Sequence, residues 1–255
     1  MKRLSRLITL ALAVVVAMPA FTDDARKPRS TSFAADFQMI PVMGNVPGAN
    51  NAVFQTYVAI LNPTSQAFSI TAALFDPNGT KREAQINLAA GEMKIYTNFL
   101  DAVFQYQGGG AVTFRSADSA GGLRNNRFIV STEVRTSGTS YSTPVPTVDF
   151  EASSSRSYAA GISTDSTERT NIGCFNRADV ANTVTAKIFD KSGATQVGTV
   201  TLNLAANAWG QTSVSAVVSN GYVQFDPTEA AACYAVVVNN ATNDGRLIPA
   251  VEFEP

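Results

Sequence analysis

Short apolar runs separated by turn residues fill the chain from Phe37 onward, and the clearest of them keep a period of two. Ile70, Ala72 and Leu74 alternate with Ser69, Thr71 and Ala73, and Val184, Ala186 and Ile188 alternate with Thr183, Thr185 and Lys187. One apolar face at every second residue predicts half-buried strands. Val58 with Ile60, Ile172 with Cys174, Val112 with Phe114 and Val223 with Phe225 predict more, as do FIVSTEV (128–134) and CYAVVVN (233–239). DPNG (76–79) and DKSG (190–193) supply turn chemistry, because Asp bonds the local backbone and Gly permits positive φ. Helical periodicity is weak and confined to 98–105. Phe75 and Phe189 break the alternation beside the turns. They are expected to tuck under their hairpins or against a linker, or else to form a shared exposed aromatic contact.

The pattern is written twice. QTYVAILNPTSQAFSITAALFDPNG (55–79) aligns without gaps on RTNIGCFNRADVANTVTAKIFDKSG (169–193). Thr56/Thr170, Asn62/Asn176, Thr71/Thr185, Ala72/Ala186, Phe75/Phe189, Asp76/Asp190 and Gly79/Gly193 coincide. NLAAGE (87–92) matches NLAANA (203–208), GAVTF (110–114) matches GYVQF (221–225), and STPVPTV (142–148) sits where RLIPAV (246–251) sits. A repeat of this length is a duplicated domain rather than a solenoid unit of ~20–50 residues. Six to eight strands per repeat predict an all-β fold of two tandem Ig-like antiparallel sandwiches. The expected boundaries are 37–148 and 158–255, joined by a serine-rich linker at 149–157.

Residues 1–20 read as a signal peptide. Lys2, Arg3 and Arg6 precede an apolar run from Leu7 to Val16, followed by Pro19 and small residues. The run is short of the ~20 residues of a spanning helix, which sets an uncleaved anchor aside as the other reading. Residues 21–36 are polar and aperiodic and read as a disordered leader. Export predicts a secreted, periplasmic or cell-surface protein, with no stable membrane insertion after cleavage. Loss of residues 1–20 removes three cations, so 19 become 16 against 20 anions, a net charge of −4. A mildly acidic chain lacks the electrostatic footprint of a nucleic-acid binder.

An exported chain with two cysteines predicts a disulfide between Cys174 and Cys233, the alternative being two buried thiols. In the repeat alignment Cys174 falls on Ile60 and Cys233 near Ile129, so the bridge is expected to replace an aliphatic contact between two sheets.

The chain has no histidine. That excludes Ser–His and Cys–His nucleophile pairs and His-bearing zinc sites. The carboxylate pairs Asp165/Glu168, Asp149/Glu151 and Glu252/Glu254 read as solvated loop residues rather than a glycosidase pair. Asp165, Ser166 and Glu168 offer some oxygens to calcium but no Asp-x-Asp-x-Asp ladder. The glycines 108–110 read as a hairpin turn, and the stretches 42–54 and 116–127 as extended recognition loops.

VPGANNAVFQTYVAILNP, FDPNG, LAAGEMKIYTNFL, GAVTFRS and VSTEVRTSGTSYSTPVP together resemble a group of exported bacterial proteins with two tandem Ig-like β-sandwich repeats. That resemblance implies a fold and no activity. Signal, size and paired units are also similar to periplasmic pilus chaperones, although those are typically basic.

These readings predict a non-enzymatic binding or structural protein with no catalytic residue, cofactor or metal. Its partner would be a protein or surface polymer, met through loops or sheet edges. The runner-up is a carbohydrate-binding or carbohydrate-active sandwich with Trp209 or tyrosines as stacking platforms. A pilus-chaperone-like role ranks third.

Overall fold

A computed structural model describes residues 34–48, 51–116, 126–137, 141–148 and 156–252. Residues 1–20, read as a signal peptide, 21–33 of the expected leader and 149–155 of the expected linker lie outside the described residues. Among the described residues the fold is all β apart from one short helix, in three antiparallel sheets.

The N-terminal half comprises β1 (Phe37–Pro47), β2 (Val53–Leu61), β3 (Phe68–Phe75), β4 (Lys81–Leu88), β5 (Met93–Tyr96), α1 (Phe99–Phe104), β6 (Gly108–Ser116), β7 (Ile129–Thr136) and β8 (Ser142–Pro144). Its eight strands form one sheet in the order β4-β3-β6-β1-β2-β7-β8, with β5 beside β2. β1 belongs to both sides. It pairs with β6 from Phe37 to Asn45 and with β2 from Asn45 to Pro47. A register shift between Ile40 and Met43 bends it, as bulges do. Side chains from both sides of the bend fill one core, including Ile40, Val58, Ile60, Ile70, Leu74, Val112, Phe114 and Phe128. The weak helical signal is α1, capped by Asn98 and ended by Gln105 in the left-handed region.

The C-terminal half comprises β9 (Ser157–Thr164), β10 (Glu168–Asn176), β11 (Asn182–Phe189), β12 (Gln196–Leu204), β13 (Trp209–Ser213), β14 (Val218–Pro227), β15 (Ala231–Asn239), β16 (Gly245–Pro249) and β17 (Val251–Glu252). Here the strands form two sheets, β13-β10-β15-β16 and β12-β11-β14-β9-β17, around a second core. Strand for strand, β9 to β16 repeat the neighbours of β1 to β8. The difference is that β1 also pairs with β2, whereas β9 and β10 are not paired. The Met39–Val148 bridge corresponds to the pairing of β9 with β17 at Tyr158–Val251.

The identical positions of the two halves perform the same structural tasks. Thr56 Oγ1 donates to Gly44 O and accepts from Gly44 N, holding β1 to β2; Thr170 Oγ1 donates to Ser163 O at the equivalent place. Fully buried Asn62 donates to Gln66 O and Ala89 O, and fully buried Asn176 donates to Val180 O and Ala205 O. Each thereby ties two loops together. Asp76 Oδ1 accepts from the backbone N–H of Asn78 and Thr80, and Asp190 Oδ1 from that of Ser192. Gly79 and Gly193 then take φ of 77° and 72°.

Several expectations are corrected. Cys174 and Cys233 are disulfide-bonded, but on neighbouring strands of one sheet, directly opposite each other with Cα atoms 4.1 Å apart. The bridge therefore staples β10 to β15 rather than one sheet to the other. Register equates Cys233 with buried Val130, which faces Ile60, and not with exposed Ile129. Gly108–Gly110 are not a hairpin turn but the first residues of β6, paired with Met43, Gly44 and Asn45. Most of 42–54 is strand, divided between β1 and β2. Ala35 and Asp36, read as leader, are held by backbone bonds to Phe128 and Ser116.

Candidate interaction surfaces

The two halves meet across a small apolar junction. From the N-terminal half come Met39 and Ala111, with Phe75 beside them; from the C-terminal half come Phe175 and Ala232, with Trp209 beside them. The Phe75 and Phe175 ring centroids are 4.9 Å apart. Phe75 thus leaves the alternation because the other half, rather than its hairpin, covers it. A Cβ on Gly109 would lie 2.6 Å from the Trp209 ring, and one on Gly110 2.7 Å from the Phe75 carbonyl oxygen. Gly109 makes room for the Trp209 ring, and Gly110 for Leu74 and Phe75 within its own half. Trp209 N donates to Asp76 O at 3.2 Å, so the junction also carries a main-chain bond. Tyr234, from β15, is wholly buried and belongs to the N-terminal core, with Trp209, Val236 and Leu247 packed beside it. Trp209, a candidate sugar platform, is instead engaged here: its Nε1–H donates to Tyr234 Oη at 3.0 Å.

Register identifies the positions equivalent to this junction on the two remaining sheet faces. Met39, Phe75 and Ala111 correspond to Tyr158, Phe189 and Tyr222 in the C-terminal half. Phe175, Trp209 and Ala232 correspond to Leu61, Met93 and Ile129 in the N-terminal half. On the first of these faces Phe189 stacks on Tyr222 with centroids 5.0 Å apart and planes 12° apart, and Tyr158 lies 6.2 Å from Tyr222. Val251 beside them is 69% exposed. Asp226 rims the face, accepting from Lys187 at 2.9 Å and Arg156 at 2.6 Å. Burial raises the Asp226 pKa, but the bonds from Lys187, Arg156 and Gln224 outweigh it and hold the carboxyl below its ordinary value. On the second face Met93 is 56%, Ile95 51% and Ile129 41% exposed, with Leu61 between them. Three such residues on adjacent strands form a patch rather than scattered exposure.

On the first face Phe189, identical to Phe75 in the repeat, is a contact that the sequence already offers. The second face is signalled by the exchange of Phe175, Trp209 and Ala232 for Leu61, Met93 and Ile129 between halves whose turn residues agree. MKIY (93–96) also places Met93 and Ile95 on one side of a strand with no compensating polar partner there.

The carboxylate candidates serve the fold where they are described. Asp165 Oδ1 accepts from Thr167 N, Thr167 Oγ1 and Glu168 N, and those bonds from Thr167 and Glu168 lower its pKa. Glu168 pairs with Arg246 at 3.5 Å. Asp149, Glu151 and Glu254 lie outside the described residues, as do 117–125 of the 116–127 loop. Glu252 sits on β17. Among the described residues no group of three or more His, Cys, Asp or Glu is placed to hold a metal ion.

Comparison with protein-family models gives no match. No curated protein matches the chain in sequence. The disulfide fits an oxidising, extracytoplasmic compartment, and among the described residues no helix is long and apolar enough to cross a membrane.

Proposed function

We propose that this is an exported, non-enzymatic structural or binding protein built from two tandem Ig-like β-sandwiches, and that it works through sheet faces. One observation carries the reading. The polar residues identical in both halves are spent on strand clamps, loop ties and turns, while exposed Met93, Ile95 and Ile129 cluster on one sheet face and exposed Val251 lies beside the half-buried rings of Tyr158, Phe189 and Tyr222 on another. Exposed patches of this kind mark interaction sites on soluble proteins.

The carbohydrate reading has its own support in the three aromatic rings Tyr158, Phe189 and Tyr222 on one face. Against it, Phe189 and Tyr222 turn their flat sides toward each other. That stack occupies one flat side of each ring, and Tyr158 is tilted 53° from Tyr222, so the three rings do not form one flat platform.

The test is capture from extracts of the native cell envelope by the full exported chain, run beside a glycan array. The expected result is retention of an envelope protein, lost in Tyr222→Lys or Ile95→Lys. Glycan binding without protein capture would transfer the assignment to carbohydrate. Absence of both protein capture and glycan binding would overturn the proposal.

A further inference from the structure

We infer that the chain assembles head to tail, the aromatic face of one copy's C-terminal half receiving the exposed apolar face of the next copy's N-terminal half. This rests on the structural reading above and names its partner: a second copy of the same chain.

The contact inside the chain is the template. There, the outer side of β1, β3 and β6 receives the outer side of β10, β13 and β15: Met39, Phe75 and Ala111 meet Phe175, Trp209 and Ala232, with Phe37 and Val148 at the margin, and Tyr234, Val236 and Leu247 pack on the N-terminal core beside them. Each half therefore has one receiving face and one inserting face. The chain uses the receiving face of its first half and the inserting face of its second. The other two are left at opposite ends of the same relationship. The receiving face of the second half carries Tyr158, Phe189 and Tyr222, and the inserting face of the first half carries Leu61, Met93 and Ile129. Repeating the internal arrangement between molecules brings these two faces together.

The side chains are suited to that meeting. Inside the chain a receiving surface of Met, Phe and Ala takes two large aromatic rings. Between copies a receiving surface of Tyr, Phe and Tyr would take the aliphatic chains of Leu, Met and Ile. Bulk moves from the inserting to the receiving side, while Ser131 and Glu133 stand where Tyr234 and Val236 stand internally, so the contact between copies is smaller and more polar at that edge than the internal one. Val251, 69% exposed, stands where Val148 stands at the internal junction and extends the receiving face. Lys187 and Gln224 occupy the positions of buried Ala73 and Thr113, and Asp226 holds Lys187 to one side. A charge there makes the contact between copies weaker than the covalently tethered one, so assembly is reversible. The two faces differ, so the contact is heterologous and propagates into open chains or rings instead of stopping at a symmetric pair.

Mass photometry and sedimentation of the full exported chain over a wide concentration range test this. Mass is expected to rise progressively with concentration. Tyr222→Lys damages the receiving face and Ile95→Lys or Met93→Lys the inserting face. Each is expected to weaken self-association by about tenfold or more, as loss of an interface anchor does. Mixing Tyr222→Lys with Ile95→Lys is the decisive arm, because each chain retains the face that the other lacks. The mixture should give one-to-one pairs that grow no further. Circular dichroism and Trp209 fluorescence identical to the parent establish that the variants are folded. A parent chain that stays monomeric throughout, folded variants that assemble like the parent, or a mixture without pairs would each overturn the inference. Envelope capture by a monomeric parent would remove self-assembly and leave the proposed function standing.

Discussion

The indole N–H of Trp209 donates to the hydroxyl of Tyr234 at 3.0 Å, and that hydroxyl donates to Gln211 Oε1 at 2.9 Å. Burial raises the Tyr234 pKa, so the phenol stays neutral and keeps its donor hydrogen. Tyr234→Phe leaves the half-buried indole N–H without its acceptor. The expected cost is about 0.5–1.5 kcal/mol, the net worth of a typical hydrogen bond. Trp209 is the sole tryptophan, so a urea titration followed by its fluorescence reads the junction directly.

Gly109 tests how closely the halves approach. Gly109→Val drives a side chain into the Trp209 ring, which lies 2.6 Å from the first added carbon. Overpacking of this type costs about 1–3 kcal/mol. Thermal unfolding should show a lower midpoint, with a red shift of Trp209 emission in the native state as the ring is displaced.

Loss of the disulfide should weaken the C-terminal half. Closing the loop between Cys174 and Cys233, 59 residues apart, contributes roughly 4 kcal/mol in the chain-entropy model. In the Cys174→Ala, Cys233→Ala double variant, hydrogen exchange should accelerate in β10 and β15 before it does in β2 and β7.

Buried asparagines offer a paired test. Asn62→Ala and Asn176→Ala each remove the donors of two loop carbonyls in their own half. Each should cost about 1–3 kcal/mol in a denaturant titration. Similar losses from both would show that the duplicated residue kept its task.

The Asp226 cluster gives a pH dependence with a definite sign. Its folded-state pKa lies below its ordinary value, so the unfolded chain binds the proton more readily. The stabilisation is complete above the unfolded carboxylate value of about 3.9 and is lost as pH falls through the folded value. The group is partly solvated, which limits the effect to about 1 kcal/mol or less. Asp226→Asn should therefore lower the midpoint at neutral pH and leave it nearly unchanged in strong acid.

Much of the fold was legible because its signals are local. Alternation at 70–74 and 184–188 marks β3 and β11, Asp and Gly mark their turns, and the repeat gives the correspondence between halves. Errors arose where contacts distant in sequence decide the outcome. Gly108–Gly110 look like a turn until Trp209, 100 residues beyond Gly109, is seen to need the space at Gly109, and Leu74 and Phe75 the space at Gly110. Phe75 looks misplaced until Phe175 covers it. The cysteine bridge is expected between sheets because aliphatic core positions alone do not reveal that β10 and β15 are neighbours in one sheet. The face of Leu61, Met93 and Ile129 is illegible for a related reason: an apolar outer residue gains meaning only when its equivalent is seen buried in the other half.

Each half ends beside the strand with which it began, through Val148 next to Met39 and Val251 next to Tyr158. A module whose two ends are neighbours can be copied, inserted or excised without re-threading its strands. Gene duplication would then lengthen such a molecule in whole increments, each arriving with its seam toward the previous one already drawn.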